Sequence, residues 1–167
     1  RITKKANKWM AQIAVTIQTD LKTGTKRMGV DLGLKIPAVA VTDDGKVRFF
    51  GNGRWNKFKK RKFRVHRKKL GQSKQLQAIR TLHDKEQRWM KDQAHKVSRA
   101  IVHFAKQQNI SVIRLEKLAN IRQTARTSRK NENNLHTWSF YRLAQFIEYK
   151  AGLEGIKVEY VNPAYTS

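Results

Sequence analysis

The amino-acid sequence predicts a mixed α/β fold, one sheet flanked by helices, on three observations. Three short strand-like apolar runs follow one another closely between residues 28 and 50. Two later stretches, 84–108 and 137–153, carry apolar residues at helical spacing. Each of those is followed by one more short apolar run of strand type.

The elements follow in order. Trp9-Met-Ala-Gln-Ile-Ala-Val-Thr-Ile-Gln-Thr19 alternates, with Trp9, Ala11, Ile13, Val15 and Ile17 on one side, and predicts a half-buried lead strand. Residues 20–25 form a polar turn around Gly24. Residues 28–34, 38–42 and 46–50 then make a meander, and the Asp44-Gly45 pair is a hairpin signal between the last two. A basic tract follows, and a helix is expected over 84–108 with Ala94, Val97, Ile101 and Phe104 as its apolar stripe. Residues 110–115 form a short strand ending near Glu116, and the polar, basic stretch 120–134 reads as a mobile loop. The second helix, 137–153, places Phe140, Leu143, Ala144, Ile147 and Ala151 on one face, and residues 156–161 are the last strand. After the lead strand the order is β-β-β-α-β-α-β, that of the RNase H-like fold. It implies a mixed sheet with the first meander strand beside the strand ending at Glu116, an arrangement that right-handed crossovers favour.

Composition bounds the partners. The 167 residues are enough for one domain of ordinary size, and 39% hydrophobic with 29% charged residues is a globular composition. Lys and Arg number 37 against 12 Asp and Glu, giving a net charge of +25. With a pI near 10.9, a polyanion is the expected partner. Nucleic acid suits this better than a membrane, because no long apolar segment or amphipathic anchor is present. With no visible signal peptide, an intracellular, cytoplasmic setting is expected. The absence of Cys excludes disulfides, thiolate zinc sites and Cys nucleophiles within these residues. The start at Arg1 and the end at Pro163-Ala-Tyr-Thr-Ser167 suggest a piece of a larger protein.

Two acids stand out. Asp31 lies in the apolar run Met28-Gly-Val-Asp-Leu-Gly-Leu34, and Glu116 in Ile110-Ser-Val-Ile-Arg-Leu-Glu-Lys-Leu118. A carboxylate in a buried strand costs several kcal/mol unless a metal, a cation or hydrogen bonds compensate it. Two-metal phosphodiester cleavage needs clustered carboxylates that hold divalent cations about 3.5–4 Å apart. Mg²⁺ takes hard oxygen ligands, which Asp and Glu supply. Gly29 and Gly33, flanking Asp31, would leave room for a phosphate to approach the backbone. The competing reading makes Asp31 a structural acid at a bulge, paired with Arg27 or another base, and Glu116 a solvated strand-end residue.

The tract from Lys57 to Lys69 reads as a phosphate-contacting arm, with Lys57, Lys59, Lys60, Arg61, Lys62, Arg64, Arg67, Lys68 and Lys69 as its cations. The alternative is a solvated linker. Its aromatics can stack on bases or anchor the segment. Arg122, Arg126, Arg129 and Lys130 add a second basic group in the loop. The five His residues show no metal-ligand spacing, and Trp138 reads as core.

These residues resemble a family. Gly29-Val-Asp-Leu-Gly-Leu34 and the following Thr-Asp-Asp-Gly turn look like the first RuvC motif of TnpB, the OrfB-type proteins of insertion sequences related to type V CRISPR effectors. Arg88-Trp89 and Asp92-Gln-Ala-His-Lys-Val-Ser-Arg99 resemble the helix before the second motif, and Ile113-Arg-Leu-Glu-Lys-Leu118 resembles that motif. Trp138-Ser-Phe140, Tyr149-Lys-Ala151 and Val161-Asn-Pro-Ala-Tyr-Thr-Ser167 are similar to the family's approach to its zinc ribbon.

The resemblance implies an RNA-guided, Mg²⁺-dependent DNA endonuclease with guide RNA and target DNA as partners and Asp31 and Glu116 as catalytic metal ligands. It makes residues 1–20 the end of an upstream β-barrel (wedge) domain and 21–167 a RuvC-like core with a basic helical segment at 54–108. The family's zinc-binding ribbon and third catalytic Asp would follow Ser167, so these residues are expected to form an incomplete centre. Two other readings stay open: a nuclease-inactive guided DNA binder or non-catalytic nucleic-acid module, and a basic RNA-binding protein of ribosomal type.

Overall fold

The structure, a computed structural model, describes residues 1–5, 8–117 and 140–162. Strands β1 (Ile2–Lys5) and β2 (Lys8–Ala11) pair antiparallel as a two-stranded ribbon. The main sheet comprises β3 (Arg27–Asp31), β4 (Ala38–Thr42), β5 (Val47–Phe50), β6 (Val112–Glu116) and β7 (Lys157–Val161). Helices α1 (Gly53–Gln72) and α2 (Leu76–Gln107) lie between β5 and β6, and α3 (Phe140–Leu153) lies between β6 and β7.

The strand order is β5-β4-β3-β6-β7. The β3–β4–β5 meander is antiparallel, whereas β3, β6 and β7 run parallel. This is the mixed sheet expected from the element order, with β3 beside β6.

Alternation decides which face is covered. Met28 and Val30 of β3, Ala38 and Ala40 of β4, and Ile113 and Leu115 of β6 are buried. They join Ile101, Phe104 and Ala105 of α2 and Leu143, Ile147 and Ala151 of α3 in one core. The expected stripes of both helices therefore point at the sheet. Phe50 caps this core against Phe104 at a ring distance of 6.0 Å, and the Arg48 guanidinium lies over both rings. The opposite face carries Gly29, Asp31, Val41, Val47 and Phe49, all exposed, with Val39, Arg114 and Glu116 half-buried.

Several expectations need correction. The lead strand is shorter than its alternation suggested. Only Lys8–Ala11 finds a strand partner, and residues 12–26 have no strand or helix, with Ile13, Val15 and Ile17 exposed. An alternating run specifies a two-faced ribbon, but a strand also needs a neighbour to take its backbone hydrogen bonds. The first meander strand ends at Asp31 rather than Leu34, because the chain then turns through a loop closed by Gly33 N–H donating to Pro37 O. The basic tract forms most of α1, so the solvated-linker alternative does not hold. Helix α2 begins at Leu76, eight residues before the expected residue 84. The loop 120–134, Trp138 and the closing residues 163–167 lie outside the described residues.

Candidate functional site

β3 and β6 bring the two singled-out acids together. Their parallel register pairs Gly29 with Arg114 and Val30 with Leu115. The next step along that register is Asp31 and Glu116. Both acids sit at the C-terminal ends of their strands, one residue beyond a buried neighbour, and so share the open face. Neighbouring strands run about 4.8 Å apart, so both side chains leave the backbone within reach of one shared cation. The C-terminal ends of parallel strands are where open α/β sheets bind ligands.

The setting differs from the sequence expectation in one respect. Asp31 is exposed rather than buried, because β3 has only one covered face. Its carboxylate therefore escapes the desolvation cost that first drew attention to it. It sits in a regular ladder pair with Val39, not at a bulge. Arg27 does not pair with it: the Arg27 backbone N–H donates to Asp43 instead. The nearest cation in register, Arg114, pairs with Glu159 at 3.3 Å; the hydrogen bond from Lys157, then that from Arg114, holds the Glu159 carboxyl below its usual range. The glycines also divide. A Cβ on Gly29 would meet nothing nearer than Val41 O at 4.0 Å, so the open face above it is accessible. A Cβ on Gly33 would lie 2.9 Å from Ile36 O, so Gly33 serves its own loop rather than an incoming phosphate.

Two hard oxygen donors on one face suit a divalent cation such as Mg²⁺. Among the described residues no group of three or more His, Cys, Asp or Glu could hold a metal ion.

α1 is fixed against this end of the sheet. Asn52 caps it, accepting from Trp55 N–H at 3.0 Å. Gly53 N–H donates to Lys35 O at 3.0 Å, and a Cβ there would fall 1.9 Å from Leu34 O. Only glycine lets the helix start so close to the loop that follows Asp31. The helix carries ten Lys and Arg and no acid. Folding sorts these cations. Arg67 forms an ion pair with Glu86 of α2. Lys60 faces the same carboxylate, and burial pushes its pKa down while Glu86 opposes the shift. Lys57, Arg61, Arg64 and Lys68, spaced 4, 3 and 4 residues apart, form an exposed stripe, with Lys62 and Lys69 exposed beside it. Lys59 leans over the Trp55 ring at 4.8 Å. Arg122, Arg126, Arg129 and Lys130 lie outside the described residues.

Trp55 lies just before the tract taken from Lys57. The available signal was Asn52, a helix-capping residue five positions earlier.

The fold defines a class, the RNase H-like mixed sheet flanked by helices. Residues 11–122 match the OrfB_IS605 family, described as "Probable transposase", and the chain belongs to that family. Residues 140–167 match the Cas12f1-like TNB domain. A TnpB-like protein of Methanocaldococcus jannaschii is 34% identical over 112 residues, 66% of this chain and 40% of its own length. A CRISPR-associated endodeoxyribonuclease Cas12f1 of Sulfoacidibacillus thermotolerans is 30% identical over 179 residues, covering 98% of this chain and 41% of its own length. The chain thus spans about two-fifths of these relatives. The fold resembles the protein in a Cas12f1–sgRNA–target DNA complex, with a TM-score of 0.68 and 19% identity over 98% of this chain and 41% of that one. A second Cas12f ternary complex gives a TM-score of 0.70 at 18% identity, over 95% of this chain and 32% of that one.

Proposed function

We propose that these residues form the RuvC-like core of an RNA-guided, metal-dependent DNA endonuclease encoded by a transposable element. The observation that carries this is the placement of Asp31 and Glu116 at one level and on one face of neighbouring parallel strands. The endonuclease named among the relatives, the TnpB-like relative and the cationic α1 support it.

In this reading Asp31 and Glu116 hold Mg²⁺, which when bound would polarise the scissile phosphate and make an attacking water more acidic. The Lys57–Lys68 stripe grips phosphates by charge and sets the strand's position without reading its sequence. Guide RNA paired to target DNA supplies the sequence recognition. The exposed apolar side of residues 9–17 supports assigning residues 1–20 to the end of an upstream barrel. With two such carboxylates placed among the described residues, the 167 residues alone are expected to cut slowly or not at all.

The test uses the full-length protein with its guide. Asp31→Ala is expected to abolish cleavage of guide-matched DNA and leave guide RNA binding intact. Undiminished cleavage by that variant would overturn the catalytic role. The second reading is a nuclease-inactive guided binder, for which the cationic α1 would suffice without a metal. Wild-type protein that binds matched DNA without cutting it in Mg²⁺ would establish that one.

A further inference from the structure

We propose that Trp55 and Phe58 form a base-stacking platform for a single-stranded nucleic-acid segment, beside the acids; this deepens and rests on the nucleic-acid reading above. The two rings occupy the first turns of α1, 5.3 Å apart between centroids and 21° from parallel. Both stay open, Trp55 at 48% and Phe58 at 42% exposure. Scattered exposed aromatics are ordinary, but these two stack on each other within a cationic helix, and anchoring that helix is the plain reading. Other groups already do that: Gly53 and Asn56 are the buried residues of α1, and Gly53 carries the hydrogen bond to Lys35.

The chemistry around the rings selects the occupant. Lys59 sits over the Trp55 ring at 4.8 Å, and the exposed cations Lys57, Arg61 and Lys62 follow along the same helix. A positive track with interspersed aromatic faces is the arrangement that binds single strands, backbone on the cations and bases on the rings. Bases within a duplex already stack on one another and cannot use such a platform. The place is fixed too. Leu34, against which Gly53 packs, follows Asp31 by three residues, at most about 10 Å of chain. Trp55 lies two residues into the helix, a rise of about 3 Å. A base seated on Trp55 therefore holds its strand a few nucleotides from Asp31 and Glu116.

The experiment measures affinity of the 167-residue chain for a single-stranded oligonucleotide and for the same sequence as a duplex. The proteins are wild type, Trp55→Ala, Trp55→Leu and the quadruple alanine variant of Lys57, Arg61, Arg64 and Lys68. Trp55→Leu keeps apolar bulk but has no aromatic face, so it covers the case in which Trp55→Ala fails to fold. Loss of one stacked base is expected to weaken single-strand binding roughly 5- to 150-fold. Duplex affinity should move less than about twofold and the salt slope should stay as in wild type, since no charge is removed. Unchanged single-strand affinity in Trp55→Leu, or equal loss on both substrates, would overturn the platform while the quadruple variant's loss of affinity upheld the nucleic-acid reading. A wild-type chain that binds neither substrate would remove that reading and the platform with it.

Discussion

Asp31 is a hydrated carboxylate at the end of a half-covered strand, so removing it takes away no buried contact. Asp31→Ala should therefore shift folding stability by no more than about 0.5 kcal/mol, while abolishing cleavage in the full-length protein. Thermal melts beside the cleavage assay check this, and a large drop in melting temperature would make Asp31 a structural acid. The sequence pointed to Asp31 for a partly mistaken reason. Its apolar neighbours Val30 and Leu32 suggested burial on both sides, yet strand alternation turns both inward and leaves Gly29 and Asp31 outward. His95 shows what sequence could not reveal, because its environment comes from another helix. Its ring stacks on Phe146 of α3 at 3.9 Å, and Lys150 of α3 donates to its backbone carbonyl at 2.7 Å. Burial, then the charges of Lys150 and Lys91, hold its pKa below the ordinary imidazole value, with Asp92 opposing. The folded state thus binds fewer protons at His95 than the unfolded chain does. That contribution to stability is complete above the unfolded value of about 6.5 and is lost as pH falls through the lower folded value. Melts from about pH 7.5 down to about 5.5 should show a decline that His95→Phe removes; an unchanged slope in that variant would place the titration elsewhere.

At the scale of elements, α1 separates two kinds of cation that the sequence presents as one tract. Lys57, Arg61, Arg64 and Lys68 face solvent, whereas Arg67 and Lys60 face Glu86. If the exposed side neutralises about six phosphates, the log–log salt slope should be about −5 on duplex DNA. Replacing the four stripe residues by Ala should flatten it by roughly three to four units. Arg67→Ala should leave most of the slope and instead cost on the order of 1 kcal/mol of stability, since its ion pair joins α1 to α2 and is partly screened. Salt titrations and melts on both variants distinguish the roles; matched slopes would show that the helix does not sort its charges. Composition marked the tract as basic, and the family resemblance implied that it is helical. Its helical form depended on the Asn52 cap and on Gly53 fitting against Leu34, which are a local signal and a tertiary one respectively. The same division explains the strands. The three-strand meander and the stripes of α2 and α3 were legible from periodicity, whereas Ile2–Lys5 became a strand only by pairing with Lys8–Ala11.

For the molecule as a whole, one face of the sheet supplies stability and the other presents the site. Ile113→Ala at a fully buried position should cost about 2–5 kcal/mol, whereas Phe49→Ala, at 63% exposure on the open face, should cost less than about 1. Denaturant unfolding of the two variants compares the faces directly. The sheet order was predictable because short connections and crossover handedness leave few topologies for β-β-β-α-β-α-β. The position of Asp31 beside Glu116 followed from that order, while the open side they share depended on which face the helices cover. That arrangement also separates binding from cutting. Binding draws on an excess of 25 positive charges and needs no metal, so the 167-residue chain should hold nucleic acid tightly at low salt and release it steeply as salt rises. Cutting as proposed would need two cations at fixed spacing, and the two carboxylates placed among the described residues set that spacing poorly. The chain should therefore bind but cleave poorly in Mg²⁺. A flat salt response would remove the polyanion reading. Efficient Mg²⁺-dependent cutting by these 167 residues, abolished by Glu116→Ala, would show that they hold a complete set of metal ligands.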